Sequence, residues 1–201
     1  KGRAAKEIGC RAPKFAYDQA MNPRLSELLE RIPALKVCAA DIQLAFETMR
    51  DALANGGKLL LCGNGGSGAD VEHWAGELLK GFLSRRPLGK EWQEKLGPEL
   101  ACQLQGGLPA IPLTGFLGLR TAWQNDCNPD YVYAQLVHVL GRPGDVLVGI
   151  STSGNSRNVA AALQTARCSG LKTIALTGAS GGKAYELAEI SIRVPSGTVH
   201  L

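Results

Sequence analysis

The chain has 201 residues, of which 45% are hydrophobic and 20% are charged, and its formal net charge is +4. This length suits one domain with a substantial core. Basic residues are scattered among acids and only 5% of residues are aromatic, which argues against a nucleic-acid groove and a direct nucleic-acid partner. No apolar run approaches the ~20 residues of a membrane span, so we expect no membrane partner.

Cysteine usage and the first residues predict the compartment. The six cysteines are widely spaced and form no CxxC pair, a pattern typical of reduced intracellular proteins. The opening residues KGRAAKEIGC lack the apolar stretch of a signal peptide. We therefore expect a cytoplasmic protein.

The first quarter of the chain predicts an arm followed by helices. Residues 1–23 show no clear period and contain two prolines. From Leu25 the apolar residues recur at helical spacing, with an interruption at Pro33, until Asn55 and two glycines end the pattern. We interpret residues 1–57 as an N-terminal arm and oligomerisation helices.

Apolar strands and helical patterns alternate over the rest of the chain. The predicted strands cover residues 58–63, 108–115, 145–151, 172–178 and 190–195, and the predicted helices lie near residues 67–83, 130–141, 156–169 and 182–188. Near-continuous apolar strands separated by helices indicate a parallel sheet that is covered on both faces. We therefore predict an α/β fold, with a doubly wound, flavodoxin-like five-stranded parallel sheet, helices on both faces and an N-terminal helical extension.

One segment interrupts this alternation. Residues 84–107 are long for a connection within a compact domain, and only a short helix is predicted there, around Glu91–Leu96. We interpret the segment as an insertion on the surface or at an interface, within a ligand-binding domain that covers residues 58–201.

A glycine-rich turn follows the first strand. Residues 63–68 satisfy the GxGxxG pattern, but the acidic residue that a dinucleotide-binding fold needs about 20 positions later falls near Leu88, in the insertion. No Gly-Lys-Ser/Thr follows, which excludes a Walker loop. The turn still lets backbone approach a ligand, and a helix starting near Ser67 offers N–H groups to an anion. A tight strand–helix junction would also use glycine, but it explains Asn64 and Ser67 less well.

A second polar turn, ISTSGNSRN, follows the strand at 145–151. Ser156 is a preferred residue type for a helix N-cap and needs no function by itself. The three consecutive hydroxyls of Ser151, Thr152 and Ser153 exceed what capping requires. Hydroxyls and backbone amides at a helix N-terminus form a phosphate cradle without a lysine.

These two motifs, GNGGS and STSGNS, each following a buried strand, resemble those of the sugar isomerase (SIS) domain family. The stretches GNGGSGADVEHWAGEL and ALTGASGGK also follow the family's order and spacing, and the chain resembles the phosphoheptose isomerase subgroup. The resemblance implies the SIS fold and a homotetramer with active sites at subunit interfaces. It also implies isomerisation of sedoheptulose 7-phosphate to D-glycero-D-manno-heptose 7-phosphate, for the heptose of surface glycans such as lipopolysaccharide.

The resemblance assigns roles to particular residues. It implies that zinc is bound by His73 and Glu77, and that Glu77 is also the catalytic residue that handles a substrate proton. The remaining expected contacts to the sugar phosphate come from Asn64, Gly65, Gly66, Ser67, Asn125, Asp126, Ser151, Thr152, Ser153 and Ser156.

The chemistry of His73 and Glu77 supports this assignment. Residues at i and i+4 of a helix lie ~6 Å apart, so an imidazole and a carboxylate in this arrangement can share a zinc ion. An arbitrary pair of this kind would more often only hydrogen-bond on a surface. The position on the helix that leaves the glycine-rich turn favours function. Aldose–ketose isomerisation needs a general base and a group that stabilises the oxyanion of an enediol-type intermediate.

The C-terminal residues depart from the family pattern. Family members continue beyond the last strand into a long helix that supplies a glutamine and a histidine to the metal site, whereas this chain reads VPSGTVHL. We expect that the natural chain continues, with His200 near the start of that helix. The missing ligands also keep a second hypothesis open, namely a non-catalytic relative that binds sugar phosphates or associates with the replication initiator.

Overall fold

A parallel sheet of five strands forms the centre of the computed structural model, which describes residues 22–81, 83 and 85–196. The strand order is β2-β1-β3-β4-β5, and every pair of neighbouring strands is parallel. The strands are β1 Leu59–Gly63, β2 Ala110–Pro112, β3 Val146–Ser151, β4 Lys172–Thr177 and β5 Ile190–Arg193.

Eight α-helices accompany the sheet within the described residues. They are α1 Pro23–Arg31, α2 Ala39–Ala54, α3 Gly65–Leu79, α4 Lys90–Ala101, α5 Leu117–Asp126, α6 Val132–Leu140, α7 Arg157–Cys168 and α8 Gly182–Leu187. Short 3-10 helices cover Pro33–Cys38, Leu113–Gly115 and Pro129–Tyr131. Among the helices of the described residues, none has the length and apolar character needed to cross a membrane.

The inner strand β1 is apolar along its whole length, and all five of its residues are buried. Leu59 and Leu61 point into a core shared with α2 and α3, whereas Leu60 and Cys62 point into a core shared with α6 and α7. Alternate residues of a strand face opposite sides, so a strand covered by helices on both sides has no polar face. The predicted doubly wound α/β fold with its five parallel strands is confirmed.

The N-terminal helices pack against the sheet. Pro33 ends the first helical segment as predicted, and a 3-10 helix, not the predicted α-helix, leads from it to α2. Ala45 on α2 is buried in the same core as Ile190 of β5. Residues 1–21 lie outside the described residues, and the division of the chain after residue 57 stays a prediction.

The segment at 84–107 contains a longer helix than predicted. Helix α4 begins one residue before the predicted helix and extends to Ala101, with a break at Gly97, where φ is +75°. None of the residues in α4 is buried. Helix α4 therefore lies on the surface of the chain, and the interpretation of the segment as an insertion stays a prediction.

Candidate functional site

The carboxyl ends of β1 and β3 lie side by side and open a crevice. Gly63 at the end of β1 pairs with Ile150 of β3. The chain leaves β1 toward β2 on one side, whereas β3 and the later strands lie on the other side. Ligands of open α/β sheets bind at this kind of topological switch point. The glycine turn (residues 63–68) and the hydroxyl loop (residues 151–156) therefore meet at one site, as the sequence predicts.

The glycine turn brings the backbone of β1 against the first turn of α3. A Cβ atom on Gly63 would lie 2.6 Å from the carbonyl oxygen of Ser67, so only glycine fits there. Helix α3 begins at Gly65, two residues earlier than predicted, and Gly66 is exposed in its first turn. No side chain among the described residues caps the N-terminus of α3. Its first N–H groups are thus available to an anion.

The hydroxyl loop is held by hydrogen bonds among its own residues. The Oγ atoms of Ser151 and Ser156 lie 2.9 Å apart, and Ser151 is buried. Ser153 Oγ accepts a hydrogen bond of 3.1 Å from the backbone N–H of Asn155, and Thr152 is exposed. Ser156 occupies the N-cap position of α7, but its hydroxyl contacts Ser151 and makes no capping hydrogen bond within the described part of the chain.

A third loop, residues 178–182, supports the hydroxyl loop from behind. The N–H of Gly178 donates to the carbonyl oxygen of Thr152 over 2.9 Å, and the N–H of Ala184 donates to that of Gly154 over 2.8 Å. Gly154 has a φ of +69°, and a Cβ atom there would lie 1.8 Å from the carbonyl oxygen of Gly181. The sequence identified this loop only as part of a family motif. Its adjacent glycines, Gly181 and Gly182, both have a positive φ, which such a pair of glycines can indicate in advance.

A pair of amides joins the glycine turn to the helix that follows the hydroxyl loop. Asn64 Nδ2 donates to Asn158 Oδ1 over 2.8 Å, and Asn158 Nδ2 donates to Asn64 Oδ1 over 2.9 Å. Asn158 Oδ1 also accepts the N–H of Val159 in the first turn of α7. Sequence reasoning selected Asn64 and missed Asn158, because 94 residues separate them.

Two cavities of about 340 Å³ and 290 Å³ open beside the glycine turn. Asn64, Arg120 and Tyr133 line both of them, and Gly65 lines the smaller one. The hydroxyl of Tyr133 donates to the carbonyl oxygen of Gly63 over 2.7 Å and anchors the end of β1. Sequence reasoning selected neither Arg120 nor Tyr133, since both reach the turn from elements far along the chain.

The pKa of Tyr133 reports its surroundings. Burial raises the pKa of the phenol most strongly, and the nearby thiol of Cys62 raises it further. The guanidinium of Arg120 lowers this pKa and the carboxylate of Glu72 raises it. Tyr133 therefore serves as a neutral hydrogen-bond donor with two opposite charges beside it.

Asn125 and Asp126 lie apart from the two loops in the single chain. Both are exposed at the end of α5, where Asn125 Nδ2 donates to Asp126 Oδ1 over 2.7 Å. Neither residue lines the two cavities, although five earlier residues of α5, among them Arg120 and Trp123, line the larger one. Their predicted contact with the sugar phosphate stays a prediction.

His73 and Glu77 form a pair on the outward side of α3. His73 Nε2 lies 3.6 Å from Glu77 Oε1, and the side chains are 81% and 33% exposed. Neither residue lines the two cavities, whereas Glu72 of the same helix lines the smaller one. Glu72 is one residue from His73 and therefore points about 100° away around the helix.

Comparison with known proteins identifies the family. The model of the SIS domain matches residues 22–93 and 107–178. The chain belongs to the SIS domain family. A phosphoheptose isomerase of Chlorobaculum parvum is 44% identical over 174 residues, covering 86% of this chain and 72% of that protein. A phosphoheptose isomerase of Akkermansia muciniphila is 38% identical over 169 residues, covering 84% and 79%.

A solved structure has the same architecture. The structure of a phosphoheptose isomerase from Francisella tularensis superposes with a TM-score of 0.69 at 34% identity, covering 87% of this chain and 83% of that chain. The predicted membership of the SIS family and resemblance to phosphoheptose isomerases are confirmed. The family match is interrupted at residues 94–106, which lie within the predicted insertion.

The side chains of this SIS domain fit part of a zinc site. An imidazole nitrogen and a carboxylate oxygen are both zinc ligands, and His73 and Glu77 already hold theirs near one another. Zinc sites in proteins use three or four such ligands. No group of three or more His, Cys, Asp or Glu side chains suited to a metal occurs among the described residues. His200 lies outside those residues.

Proposed function

We propose that this chain is a phosphoheptose isomerase that converts sedoheptulose 7-phosphate to D-glycero-D-manno-heptose 7-phosphate. The observation that carries the proposal is the meeting of the glycine turn and the hydroxyl loop at the switch point of the sheet. The similarity to phosphoheptose isomerases over most of both chains selects this aldose–ketose isomerase reaction.

The phosphate group of the substrate binds at the hydroxyl loop. Ser151, Thr152, Ser153 and Ser156 supply hydroxyls at the start of α7, where the helix dipole favours an anion. The Ser151–Ser156 contact and the backbone of the third loop hold these hydroxyls in place before the ligand arrives. Preorganised donors lose little conformational entropy when they bind a ligand, which increases affinity.

Glu77 moves the proton between the two carbons that exchange the carbonyl. A carboxylate base removes the proton from the hydroxymethyl carbon next to the ketone, which gives an enediol-type intermediate. Return of a proton to the neighbouring carbon gives the aldose. Glu77 is one-third exposed, so its carboxylate remains accessible to a ligand from the outward side of α3.

The proposal includes zinc, with His73 and Glu77 as two of its ligands and the others from outside the described residues. When bound, zinc would polarise the carbonyl oxygen of the substrate. The outward position of the pair supports a site that a second subunit completes, and the proposal therefore includes the homotetramer. Two exposed apolar side chains support assembly, namely Val37 just before α2 and Phe46 on α2. Light scattering, which measures the mass of the assembly, would test the tetramer.

The role in heptose synthesis for surface glycans belongs to the same proposal, because it follows from the product. The cytoplasmic location stays a prediction from the sequence.

The first experiment measures turnover of sedoheptulose 7-phosphate with added zinc and with a chelator. We expect turnover that the chelator abolishes and that zinc restores. Glu77→Gln keeps the size of the side chain but removes the base, so kcat should fall by about 10²- to 10⁴-fold. The Kd of the sugar phosphate should change by less than about threefold, because the hydroxyl loop is intact. Glu91→Gln on the exposed helix α4 is the matched control and should keep wild-type kcat.

The same experiment separates the two hypotheses. Binding of sedoheptulose 7-phosphate by the wild type without any turnover would replace the isomerase by the non-catalytic sugar-phosphate binder. Full activity of Glu77→Gln would remove Glu77 from the mechanism while leaving the isomerase itself in place.

A further inference from the structure

An arginine and a glutamate line the crevice beyond the glycine turn. Neither is among the site residues predicted from the sequence. Arg120 on α5 lines both cavities, and Glu72 on α3 lines the smaller one. Arg120 Nη1 donates to the carbonyl oxygen of Thr114 over 2.9 Å. The hydroxyl of Thr114 donates to Glu72 Oε1. Thr114 therefore fixes both side chains at the same wall of the crevice.

Most of the hydrogen-bonding capacity of this pair is unused. A guanidinium has five N–H donors, and the contacts of the described residues occupy one of those on Arg120. Glu72 accepts from Thr114 through one carboxylate oxygen, which leaves the other oxygen open. Both side chains are exposed to the crevice. Holding Thr114 alone would not require two charged groups of opposite sign.

The pair lies beyond the phosphate-binding end of the site. Asn158, in the first turn of α7 next to the hydroxyl loop, lines the larger cavity together with Arg120. Asn64, which bonds to Asn158, lines both cavities. A ligand that places its phosphate on the hydroxyl loop can therefore extend past the two amides toward Arg120.

The mixed charge of the pair selects the chemistry of what it binds. The carboxylate of Glu72 would repel a second phosphate or a carboxylate, whereas Arg120 alone would attract one. Sugar hydroxyls both donate and accept hydrogen bonds, so they match a guanidinium beside a carboxylate. Trp123 and Pro129 add apolar surface to the larger cavity, which suits the carbon chain of a sugar.

We propose that Arg120 and Glu72 bind hydroxyl groups of the sugar chain and thereby determine which sugar phosphate the site accepts. This inference rests on the proposed function, because it takes the ligand to be a sugar phosphate. Arg120 is the specificity-determining residue, and Glu72 adds the acceptor that excludes anionic substituents at this end. The phosphate remains on the hydroxyl loop.

The test compares two ligands by calorimetry on the full chain, namely sedoheptulose 7-phosphate and inorganic phosphate. Arg120→Leu should raise the Kd of the sugar phosphate by about 10- to 100-fold, which is the effect expected from loss of a hydrogen bond to a charged group. Its Kd for inorganic phosphate should stay within about twofold of wild type. Glu72→Gln can still accept the hydrogen bond from the hydroxyl of Thr114. This variant should raise the Kd of the sugar phosphate and leave the Kd of inorganic phosphate unchanged.

Arg167→Leu is the matched control. Arg167 is also exposed and donates to one backbone carbonyl, that of Leu187 over 3.3 Å, but it lies in the last turn of α7, away from the crevice. This variant should bind both ligands as the wild type does.

Two results would overturn the inference. If Arg120→Leu raises the Kd of both ligands equally, the guanidinium lies at the phosphate. If it lowers the melting temperature and leaves both Kd values unchanged, Arg120 is a purely structural residue. The test measures affinity and not turnover, so its result can be interpreted even if the wild type is inactive. Absent turnover with the expected pattern of affinities would reject the isomerase and keep the sugar-binding role of Arg120.

Discussion

Backbone contact at Gly154 gives the hydroxyl loop its shape. The φ of Gly154 is +69°, a conformation that glycine adopts without steric cost and that other residues rarely adopt. Its carbonyl oxygen accepts the N–H of Ala184, and the carbonyl oxygen of Gly181 lies against its Cα. The hydroxyl loop is therefore held in place by backbone contacts with the third loop and the start of α8.

Gly154→Ala should disrupt this arrangement. The added Cβ would lie 1.8 Å from a backbone oxygen, which no side-chain rotation can relieve, so the loop has to move. We expect affinity for inorganic phosphate, measured by calorimetry, to fall by about tenfold or more because the donors lose their preorganised positions.

Gly76→Ala is the control for this change. Gly76 lies inside α3 with an ordinary φ, and a Cβ atom added there would point into open space. Alanine there should increase the free energy of unfolding by about 0.5–1 kcal/mol and leave phosphate binding unchanged. Wild-type phosphate affinity in Gly154→Ala would show that the hydroxyl loop does not depend on this contact.

Residues of local motifs are those that the sequence alone could place at the candidate site. Ser151 is the last residue of β3 and Ser156 lies in the loop after it, so their position at the carboxyl end of the strand follows from the strand pattern alone. Asn158 and Tyr133 were missed because their roles come from contacts with residues 94 and 70 positions away. Arg120 was missed because nothing in its own neighbourhood distinguishes it from a surface arginine.

At the scale of elements, one buried carboxylate joins the amino ends of β1 and β3. Asp145 is 4% exposed, and its carboxylate accepts hydrogen bonds from the backbone N–H groups of Lys58 and Arg142 over 3.0 Å and 2.8 Å. Lys58 Nζ lies 2.6 Å from Asp145 Oδ2. A buried charge that is fully paired in this way is costly to disturb.

Asp145→Asn should destabilise the fold by about 2–4 kcal/mol, because an amide N–H₂ then faces another donor in a buried position. Urea denaturation measures the change. Glu189→Gln is the control, since the Lys172–Glu189 pair is exposed, and it should cost less than about 1 kcal/mol. Turnover per folded molecule should be unchanged in both variants, because both sites lie at the amino ends of the strands. An unchanged midpoint for Asp145→Asn would contradict the role of Asp145.

The elements that pack into the core were predictable and the exposed ones were not. Strands β1, β3 and β4 start and end within one residue of their predicted bounds, because burial on both faces requires continuous apolar sequence. The predicted strand at 108–115 is shortened to β2, since Pro112 has no N–H for the ladder and a 3-10 turn follows. Helix α5 was not predicted, and none of its residues is buried, so it shows no strong apolar periodicity.

At the scale of the whole molecule, two buried protonated groups link stability to pH. Burial raises the pKa of the Cys62 thiol from 9.0 to about 12. Burial and the neighbouring Cys62 also raise the pKa of Tyr133 above its ordinary value of 10.0. The folded state thus holds these protons more tightly than the unfolded chain does. The stability that Cys62 contributes is complete below pH 9.0 and is lost as the pH rises toward about 12.

Cys62→Ala should therefore weaken the alkaline loss of stability. When the folded state binds one proton more than the unfolded state, the free energy of unfolding falls by about 1.4 kcal/mol per pH unit. Above about pH 9 the free energy of unfolding of the wild type should therefore fall more steeply than that of the variant, by up to this amount. Urea denaturation at intervals from about pH 8 to about pH 10.5 measures both slopes. At neutral pH the variant should be less stable by about 1 kcal/mol, because a buried side chain is truncated, so the comparison of slopes is the test.

Cys168→Ala is the control for the buried thiol, since Cys168 is exposed at the end of α7. This variant should keep the wild-type slope, because it leaves the buried thiol of Cys62 in place. Equal slopes for Cys62→Ala and the wild type would mean that the core opens to water before the thiol loses its proton. The alkaline limit of the fold would then be determined by other groups, with Tyr133 as the next to be tested, because its phenol holds the end of β1 at the crevice.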